Sequence, residues 1–386
     1  MSVPRDIVRF AVLSLFWGCG VGRDVVLGEL PFGDANPGNG DSSADGNAVS
    51  DTGPFSDTTL REAGTDAGFC ASGEPVPAAK LALLSDPGRL GFGAFATGGS
   101  SGCVYHVEHL GESGPGSLRW GAESTEPLWI VFDKSGDGDI VLTSPIAFGS
   151  NKTVDGRGAR ITVRNFGFTI SAGDSNVIIE NLTFVGDMQG SEKDAIQIAD
   201  AARTIWIDHC SFSAYGDGLV DITNMATEVT VSWSVFSAHD LAVLIGGSPS
   251  QTDDASIQVT LHHNWWNQTG NYAPRLRFGK AHVLNNLIEN WKTAASAVTM
   301  GGEIYSEGNI FNAGNDKQAL STMAGNDKER GRAKSVGDSF QNGALKDETG
   351  AELVFLPRDY YSYPPAHAAD LILQADIMAN AGARPP

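Results

Sequence analysis

Three aspartates have a spacing that could create a shared cation site. Asp217 and Asp221 lie four residues apart in the segment DGLVDIT, and Asp194 in DAIQI lies 23 residues before Asp217. Calcium binds several oxygen ligands, chiefly carboxylates, so these side chains would bind Ca²⁺ if the fold brought them to one face, with Glu192 as a fourth candidate. Taken singly, each aspartate is more typical of a turn in a glycine-rich loop. The choice depends on whether the chain stacks segments that are about this far apart.

A repeat in the sequence provides that stacking. Strand-like runs recur from Val76 onward, and each ends near a bulky apolar residue. The gaps between these residues are 28, 24, 30, 22 and 23, for the series Phe184, Phe212, Phe236, Trp266, Ile288 and Phe311. Such a period, with β-branched strands and Gly/Asn turns but no helical periodicity, is typical of a β-solenoid. We therefore predict an all-β, single-stranded right-handed parallel β-helix.

The position two residues before each of the last five bulky residues supports this prediction. It is occupied in turn by Cys210, Ser234, Asn264, Asn286 and Asn309. Stacked asparagines can hydrogen-bond to one another from coil to coil through their side-chain amides. An amide ladder at one turn is therefore expected, with isolated turn asparagines as the alternative. The repeat fades after Gly314, and we expect the following segment to wrap the outside of the solenoid.

Several motifs then occur in an order that resembles one protein family. They are GPGSLR from Gly114, PLWIVF from Pro127, SNKTVDGRGA from Ser150, WIDHCSFS from Trp206, DGLVDIT from Asp217, HDLAVLIG from His239 and YAPRLRFGKAHVLNN from Tyr272. Together they are similar to the pectate lyases, secreted parallel β-helix enzymes, over roughly residues 91–313. The resemblance implies calcium-dependent β-elimination of polygalacturonate or a related uronan. A pectin lyase that acts on methyl esters without calcium is disfavoured because the aspartates are present.

The resemblance also implies roles for individual residues. Asp194, Asp217 and Asp221 match the calcium ligands, and Arg277 matches a substrate-binding arginine. Tyr272 stands where the family has its general base, an arginine, and Leu241 stands where the family has a groove lysine. Asp208, His209 and His282 correspond to structural positions. Trp265 is a candidate sugar-stacking residue, whereas Trp266 is expected inside the solenoid.

Three explanations fit the two departures. Tyr272 could abstract the proton itself, close to calcium and Arg277. Arg275 could serve instead, although it shares a strand face with Arg277, because strand side chains alternate. Alternatively, the domain binds an acidic polysaccharide without cleaving it.

The composition limits the partners. The net charge of −20 argues against nucleic acid, whose phosphates require a basic surface. It would also repel a polyuronate, so cations are expected at the contact. We predict an acidic, polygalacturonate-like polysaccharide as the partner, no protein partner and a monomeric protein.

The N-terminal region indicates export. Residues 1–19 combine Arg5 and Arg9 with an apolar run, which is typical of a signal peptide, and a lipid anchor at Cys19 remains an alternative. Residues 20–75 are rich in Gly, Ser and Asp and are predicted to be a disordered acidic linker before a domain spanning 76–386. In an exported protein, Cys70 and Cys103 are the expected disulfide, and Cys210 is expected to be a buried thiol.

Overall fold

The folded region is built from three long parallel sheets that the chain visits in rotation. The computed structural model describes residues 68–70, 73–133, 138–190 and 193–384. Sheet 1 contains ten strands, and sheets 2 and 3 contain nine each. Neighbours within a sheet come from successive coils and are parallel. This is a parallel β-helix, as predicted.

The strand bounds show how regular the coils are. Sheet 1 contains β1 (Cys103–Val107), β2 (Leu128–Phe132), β5 (Lys152–Asp155), β8 (Ser175–Glu180), β11 (Arg203–Asp208), β14 (Thr227–Ser232), β17 (Gln258–His262), β20 (Lys280–Leu284), β23 (Glu303–Glu307) and β26 (Arg332–Val336). Sheet 2 contains β3 (Gly138–Val141), β6 (Ile161–Arg164), β9 (Thr183–Val185), β12 (Ser211–Ser213), β15 (Val235–Ser237), β18 (Trp265–Asn267), β21 (Leu287–Glu289), β24 (Ile310–Asn312) and β27 (Ser339–Gln341). Sheet 3 contains β4 (Ile146–Ala147), β7 (Phe168–Ile170), β10 (Ile196–Ile198), β13 (Val220–Ile222), β16 (Val243–Ile245), β19 (Arg275–Arg277), β22 (Ala294–Thr299), β25 (Gln318–Ser321) and β28 (Leu345–Lys346).

Short helices lie outside the coils. The α-helices are α1 (Ala78–Leu81), α2 (Leu118–Ala122) and α3 (Leu371–Asn380). The 3₁₀ turns are Ala82–Ser85, Gly98–Ser101, Thr252–Ser256, Ala351–Leu353 and Pro357–Asp359. Over the part of the chain that the structure describes, none of the helices has the length and apolar character needed to cross a membrane.

The interior is filled by columns of like side chains. The bulky residues predicted to be in register pair directly, for example Phe212 with Phe184 and Phe236, and Phe236 with Trp266. Ring centroids along the column Phe148, Phe168, Phe184, Phe212, Phe236 and Trp266 are 4.9–5.1 Å apart. Trp266 is fully buried, as predicted. Stacked aromatic rings stabilise the coil register beyond the burial of their area.

The predicted amide ladder is present at the turn from sheet 1 to sheet 2. Asn264 Nδ2 donates to Asn286 Oδ1 (3.1 Å), and Asn286 Nδ2 donates to Asn309 Oδ1 (2.9 Å). Asp338 continues the ladder in the next coil, because its Oδ1 accepts from the Asn309 backbone N–H at 2.7 Å. At the other end, the Ser234 hydroxyl accepts from the backbone N–H of Cys210 (3.1 Å). All the ladder's asparagines are buried, so every one of these bonds replaces a bond to water.

The two ends of the repeat differ from the predicted boundaries. Cys70 and Cys103 form a disulfide, and Phe69 packs edge-to-face on Tyr105 with centroids 5.3 Å apart. The folded domain therefore begins before residue 76, and the predicted linker cannot extend to residue 75. The predicted signal peptide at 1–19, Cys19 and residues 20–67 lie outside the described residues. Cys210 is a buried free thiol, as expected.

The C-terminal prediction was wrong by one coil. Strands β25 to β28 continue all three sheets beyond Gly314, so the wrap follows Lys346. The asparagine pattern did not indicate the final coil, because Asp338 occupies the ladder position there. After it, the chain crosses the outside of sheet 1, where the Tyr361 hydroxyl contacts Thr260 at 2.8 Å. Helix α3 then covers sheet 2 through Leu373 and Ile377.

The outer face of sheet 1 contains buried neutral histidines beneath this wrap. Burial, followed by the charge of His367, lowers the pKa of His263 to about 3. Burial also holds the pKa of His262 well below its usual value, and His262 Nδ1 lies 3.0 Å from His263 Nδ1. Burial lowers the pKa of His282 as well, against the nearby Glu307 carboxylate, which raises it.

Replacing a ladder asparagine should destabilise the coil strongly. In Asn286→Ala, Asn264 and Asn309 lose their amide partner and the Leu261 carbonyl loses a donor. Buried polar groups left without partners cost about 1–3 kcal/mol each, so we expect a loss of about 3 kcal/mol. Urea unfolding measures this loss, with Asn315→Ala at an exposed position as the control. Equal midpoints for the two variants would contradict the ladder's role.

The histidine cluster should make stability depend on pH in one direction. Unfolded histidines titrate near 6.5, above the folded-state pKa of His263, so the unfolded chain binds more protons below that pH. The buried neutral histidines contribute fully to the free energy of unfolding above about pH 6.5. This contribution is lost as the pH falls, by up to about 1.4 kcal/mol per pH unit for each histidine. The free energy of unfolding should therefore fall less between pH 6.5 and pH 4.5 in His263→Asn than in the wild type. Parallel declines would show that His263 is not the source.

Candidate cation and substrate-binding site

The three predicted aspartates come together on the outside of sheet 3. Asp194 lies two residues before β10, Asp217 three residues before β13, and Asp221 in the middle of β13. β10 and β13 are neighbours, with Gln197 opposite Asp221. The stacking therefore brings carboxylates from two successive coils close to one another. Glu192 lies outside the described residues.

Gly218 is the point on which two of these carboxylates converge. Its backbone N–H donates to Asp194 Oδ1 at 2.7 Å. A Cβ at position 218 would overlap Asp221 Oδ1 and would lie 3.1 Å from Asp194 Oδ1. Both oxygens thus border the small space over this residue, which is open only because residue 218 is glycine.

Burial and neighbouring negative charges disfavour the ionised form of Asp194 and Asp221. Burial, followed by the charge of Asp217, raises the pKa of Asp194 to about 7 against the hydrogen bond from Gly218. Burial raises the pKa of Asp221 well above its usual value, and Asp194 and Asp217 raise it further. Asp221 Oδ1 is buried without a hydrogen-bond partner. An unpaired buried acceptor of this kind is costly, and a bound cation would satisfy it.

The side chains of the three aspartates do not surround a single metal-sized position. Among the described residues, no three His, Cys, Asp or Glu side chains are arranged to hold one metal ion. Asp217 nevertheless lies close enough to act on both neighbours electrostatically. Two oxygens facing one space, with a third carboxylate beside them, fit a Ca²⁺ ligand set better than a closed transition-metal site.

The two predicted arginines share one carboxylate. Arg275 Nη2 and Arg277 Nε donate to Asp327 Oδ2 at 2.8 and 2.9 Å. The Thr299 hydroxyl donates to the same oxygen at 2.6 Å. Burial raises the pKa of Asp327, but Thr299 and the two arginines outweigh it and hold the pKa below its usual range. Both arginines thus lie on one face, and Asp327 fixes their positions.

Tyr272 and Leu241 occupy adjacent coils. Leu241 pairs with Asn271, the residue before Tyr272, and the Val243 N–H donates to the Tyr272 carbonyl at 2.8 Å. Arg275 Cζ lies 5.6 Å from the centre of the Tyr272 ring. The two positions at which the sequence lacks a cation are therefore neighbours, next to the arginine strand.

The other candidates lie on other faces. Trp265 belongs to sheet 2, where its indole donates to Glu289 Oε2 at 3.0 Å and its ring packs beneath α3. Its position does not support the predicted sugar-binding role. His209 Nδ1 is bonded to Asp208 Oδ2 at 2.6 Å, and His282 Nδ1 to the Tyr361 hydroxyl at 2.6 Å. Both are on sheet 1, in keeping with structural roles.

Asp327 was missed by the sequence analysis. It lies 50 residues after Arg277, between β25 and β26, in the segment assigned to the wrap. Only its placement in a further coil of the same stack brings it beneath the two guanidinium groups. No local motif signals that placement.

The chain as a whole is similar to known proteins. A family model described as pectate lyase matches residues 138–384. The chain is 34% identical to Putative pectate lyase 2 of Arabidopsis thaliana over 77% of this chain and 81% of that one. It is 35% identical to Pectate lyase 1 of Chamaecyparis obtusa, over 68% and 77%.

Structural comparison agrees. Jun a 1, the major allergen from cedar pollen, aligns with a TM-score of 0.65 at 26% identity over 83% of this chain and 97% of that one. A pectate lyase from Bacillus sp. N165 in complex with trigalacturonate has a TM-score of 0.55 at 21% identity and shows the same fold. The fold and the similarity in sequence define a parallel β-helix polysaccharide lyase. The chain belongs to the pectate lyase family.

Removing one buried carboxylate should stabilise the metal-free protein. Because the folded-state pKa of Asp194 and Asp221 is raised, these groups destabilise the fold progressively as pH rises from about 4 to about 7. In Asp221→Asn at pH 8 with chelator, we expect the Tm to rise by about 2 °C or more. Differential scanning calorimetry measures it, with exposed Asp253→Asn as the control. A lower Tm in Asp221→Asn than in the control would contradict the assigned strain.

Proposed function

We propose that this chain is a calcium-dependent lyase that cleaves polygalacturonate or a related uronan by β-elimination, outside the cell. The observation that carries the proposal is the half-buried Asp194–Asp221 pair with its unpartnered oxygen, which a bound cation would satisfy. Asp194, Asp217 and Asp221 would hold calcium. When bound, it would draw charge from the substrate carboxylate and acidify the C5 proton of the sugar. Family membership supports the reaction class, and the Cys70–Cys103 disulfide supports an oxidising location.

Tyr272, Arg277 and Arg275 have different roles in the proposed reaction. Tyr272 takes the base position, so its phenolate oxygen receives the C5 proton. The C5 electron pair forms the C4–C5 double bond while the C4–O bond breaks, and the departing oxygen is protonated by solvent. Arg277 binds the substrate carboxylate and stabilises the charge that develops on it. Arg275, only 7% exposed and bonded to Asp327, positions this strand rather than acting as the base.

Non-cleaving binding of an acidic polysaccharide is the second candidate. Asp327 offsets the charge of both arginines, and neither position 241 nor position 272 supplies a cation. These features weaken the catalytic face while leaving the carboxylate pair intact. A binding module would retain calcium-dependent affinity and form no product.

An assay of unsaturated product separates the two functions. We expect the wild type to generate ultraviolet-absorbing oligomers from polygalacturonate with calcium and to lose this activity with chelator. Tyr272→Phe should reduce the rate by about 100-fold or more, within the range of general base catalysis, with substrate affinity kept. Tyr360→Phe, on the wrap, is the matched control.

The outcomes differ for each hypothesis. Full activity in Tyr272→Phe would exclude tyrosine as the base. Calcium-dependent binding by the wild type without product would establish the binding function instead. Product formation unaffected by chelator would contradict the calcium requirement.

A further inference from the structure

A depression of about 460 Å³ opens beside Asp217. Its walls are turns that lead from sheet 2 to sheet 3 in five successive coils, including Met188, Asp217, His239, Leu241, Gln268 and Lys292. His239 is 7% exposed, and its Nε2 bonds to the Asp217 carbonyl while its buried Nδ1 has no hydrogen-bond partner. The depression thus combines a polar floor with direct continuity to the carboxylate site.

Lys292 projects into this depression from two coils beyond Leu241. Its backbone N–H donates to the carbonyl of Gly270 at 2.9 Å, so Lys292 lies directly against the intervening coil, to which Gly270 belongs. Its Nζ lies 2.5 Å from Asp240 Oδ1, on the residue adjacent to Leu241. Among the described residues that line the depression, Lys292 is the only lysine or arginine.

Gly270 leaves room for this reach. A Cβ at position 270 would lie 2.5 Å from Asp240 Oδ1 and 2.8 Å from Asp240 Cα. Any side chain there would push Asp240 away and separate it from Lys292. Gly270, in the intervening turn, therefore leaves space for the Lys292 ammonium group to lie beside position 241.

We propose that Lys292 is a substrate-binding residue that contacts a uronate carboxylate in this depression and supplies the cation that position 241 lacks. This inference rests on the proposed function. The side chains of Lys292 and Asp240 are 65% and 61% exposed, and such surface pairs are weak. A substrate carboxylate can therefore replace Asp240 as the ion-pair partner of Lys292. The long, flexible ammonium arm of lysine suits this exchange because it acts as a point charge.

The ligand class follows from the charges. In a chain of net charge −20, a bound polyuronate is repelled unless cations lie along its path. Lys292 would extend the cationic path from Arg277 and the calcium site to a neighbouring sugar. It recognises the carboxylate, so a methyl-esterified sugar at this position gains nothing from it.

Calorimetric titration of tetragalacturonate and its methyl ester in calcium buffer tests the proposal. We expect Lys292→Gln to bind tetragalacturonate about tenfold more weakly, which is about 1.4 kcal/mol, with the ester unaffected. Lys292→Arg should restore most of the affinity, which a purely structural role would not require. Lys334→Gln on sheet 1 is the matched control and should bind as the wild type does.

Each result decides between explanations. Unchanged tetragalacturonate affinity in Lys292→Gln, or equal losses for the acid and the ester, would overturn the role of Lys292 alone. Failure of the wild type to bind either oligomer would overturn the proposed function and this inference with it. Weaker binding of the acid only, with rescue by arginine, would support both.

Discussion

The register of the parallel coils is the constraint on which the rest of the structure depends. Adjacent strands lie ~4.8 Å apart, so residues at equal positions in successive coils are in contact. This spacing suits a flat aromatic ring on another ring, and Phe184, Phe212 and Phe236 stack within it. It suits an amide on an amide equally well, and the Asn264–Asn286–Asn309 ladder uses it to bury polar groups at little cost. Both columns fix the register on which every outward-facing residue depends.

The same register is unfavourable for like charges, and the chain handles them in two ways. Arg275 and Arg277 share Asp327, a counter-charge from a later coil, so their cluster is neutralised internally. Among the described residues, the charges that act most strongly on Asp194 and Asp221 are those of neighbouring aspartates, and burial makes the ionised carboxylates costly. A carboxylate pair held in this way would form a preorganised cation site, as we propose, because the folding of the solenoid already offsets the cost of assembling it.

Features that repeat were predictable from the sequence. The spacing of Phe184, Phe212 and Phe236 gave the coil length, and the in-register asparagines gave the ladder. Asp194 and Asp217 could be placed together because their separation matches one coil.

Features that depend on a single long-range contact were not predictable. The Asp327 interaction joins a turn to a strand about 50 residues earlier in the chain, and the Lys292–Asp240 pair crosses the intervening coil at a glycine. The final coil was missed because Asp338 replaces asparagine where the ladder would have revealed it. The position of Trp265 beneath α3 depends on how the C-terminal segment crosses sheet 2, which no periodicity encodes.

Anomalous diffraction from a crystal grown with calcium tests the central claim most directly. That claim is that acidic residues from two successive coils share one divalent ion on the outside of sheet 3. The account predicts a single strong anomalous peak within ligand distance, about 2.3–2.6 Å, of oxygens from Asp194, Asp217 and Asp221. A well-ordered crystal with no peak there, or with calcium bound only elsewhere, would contradict it.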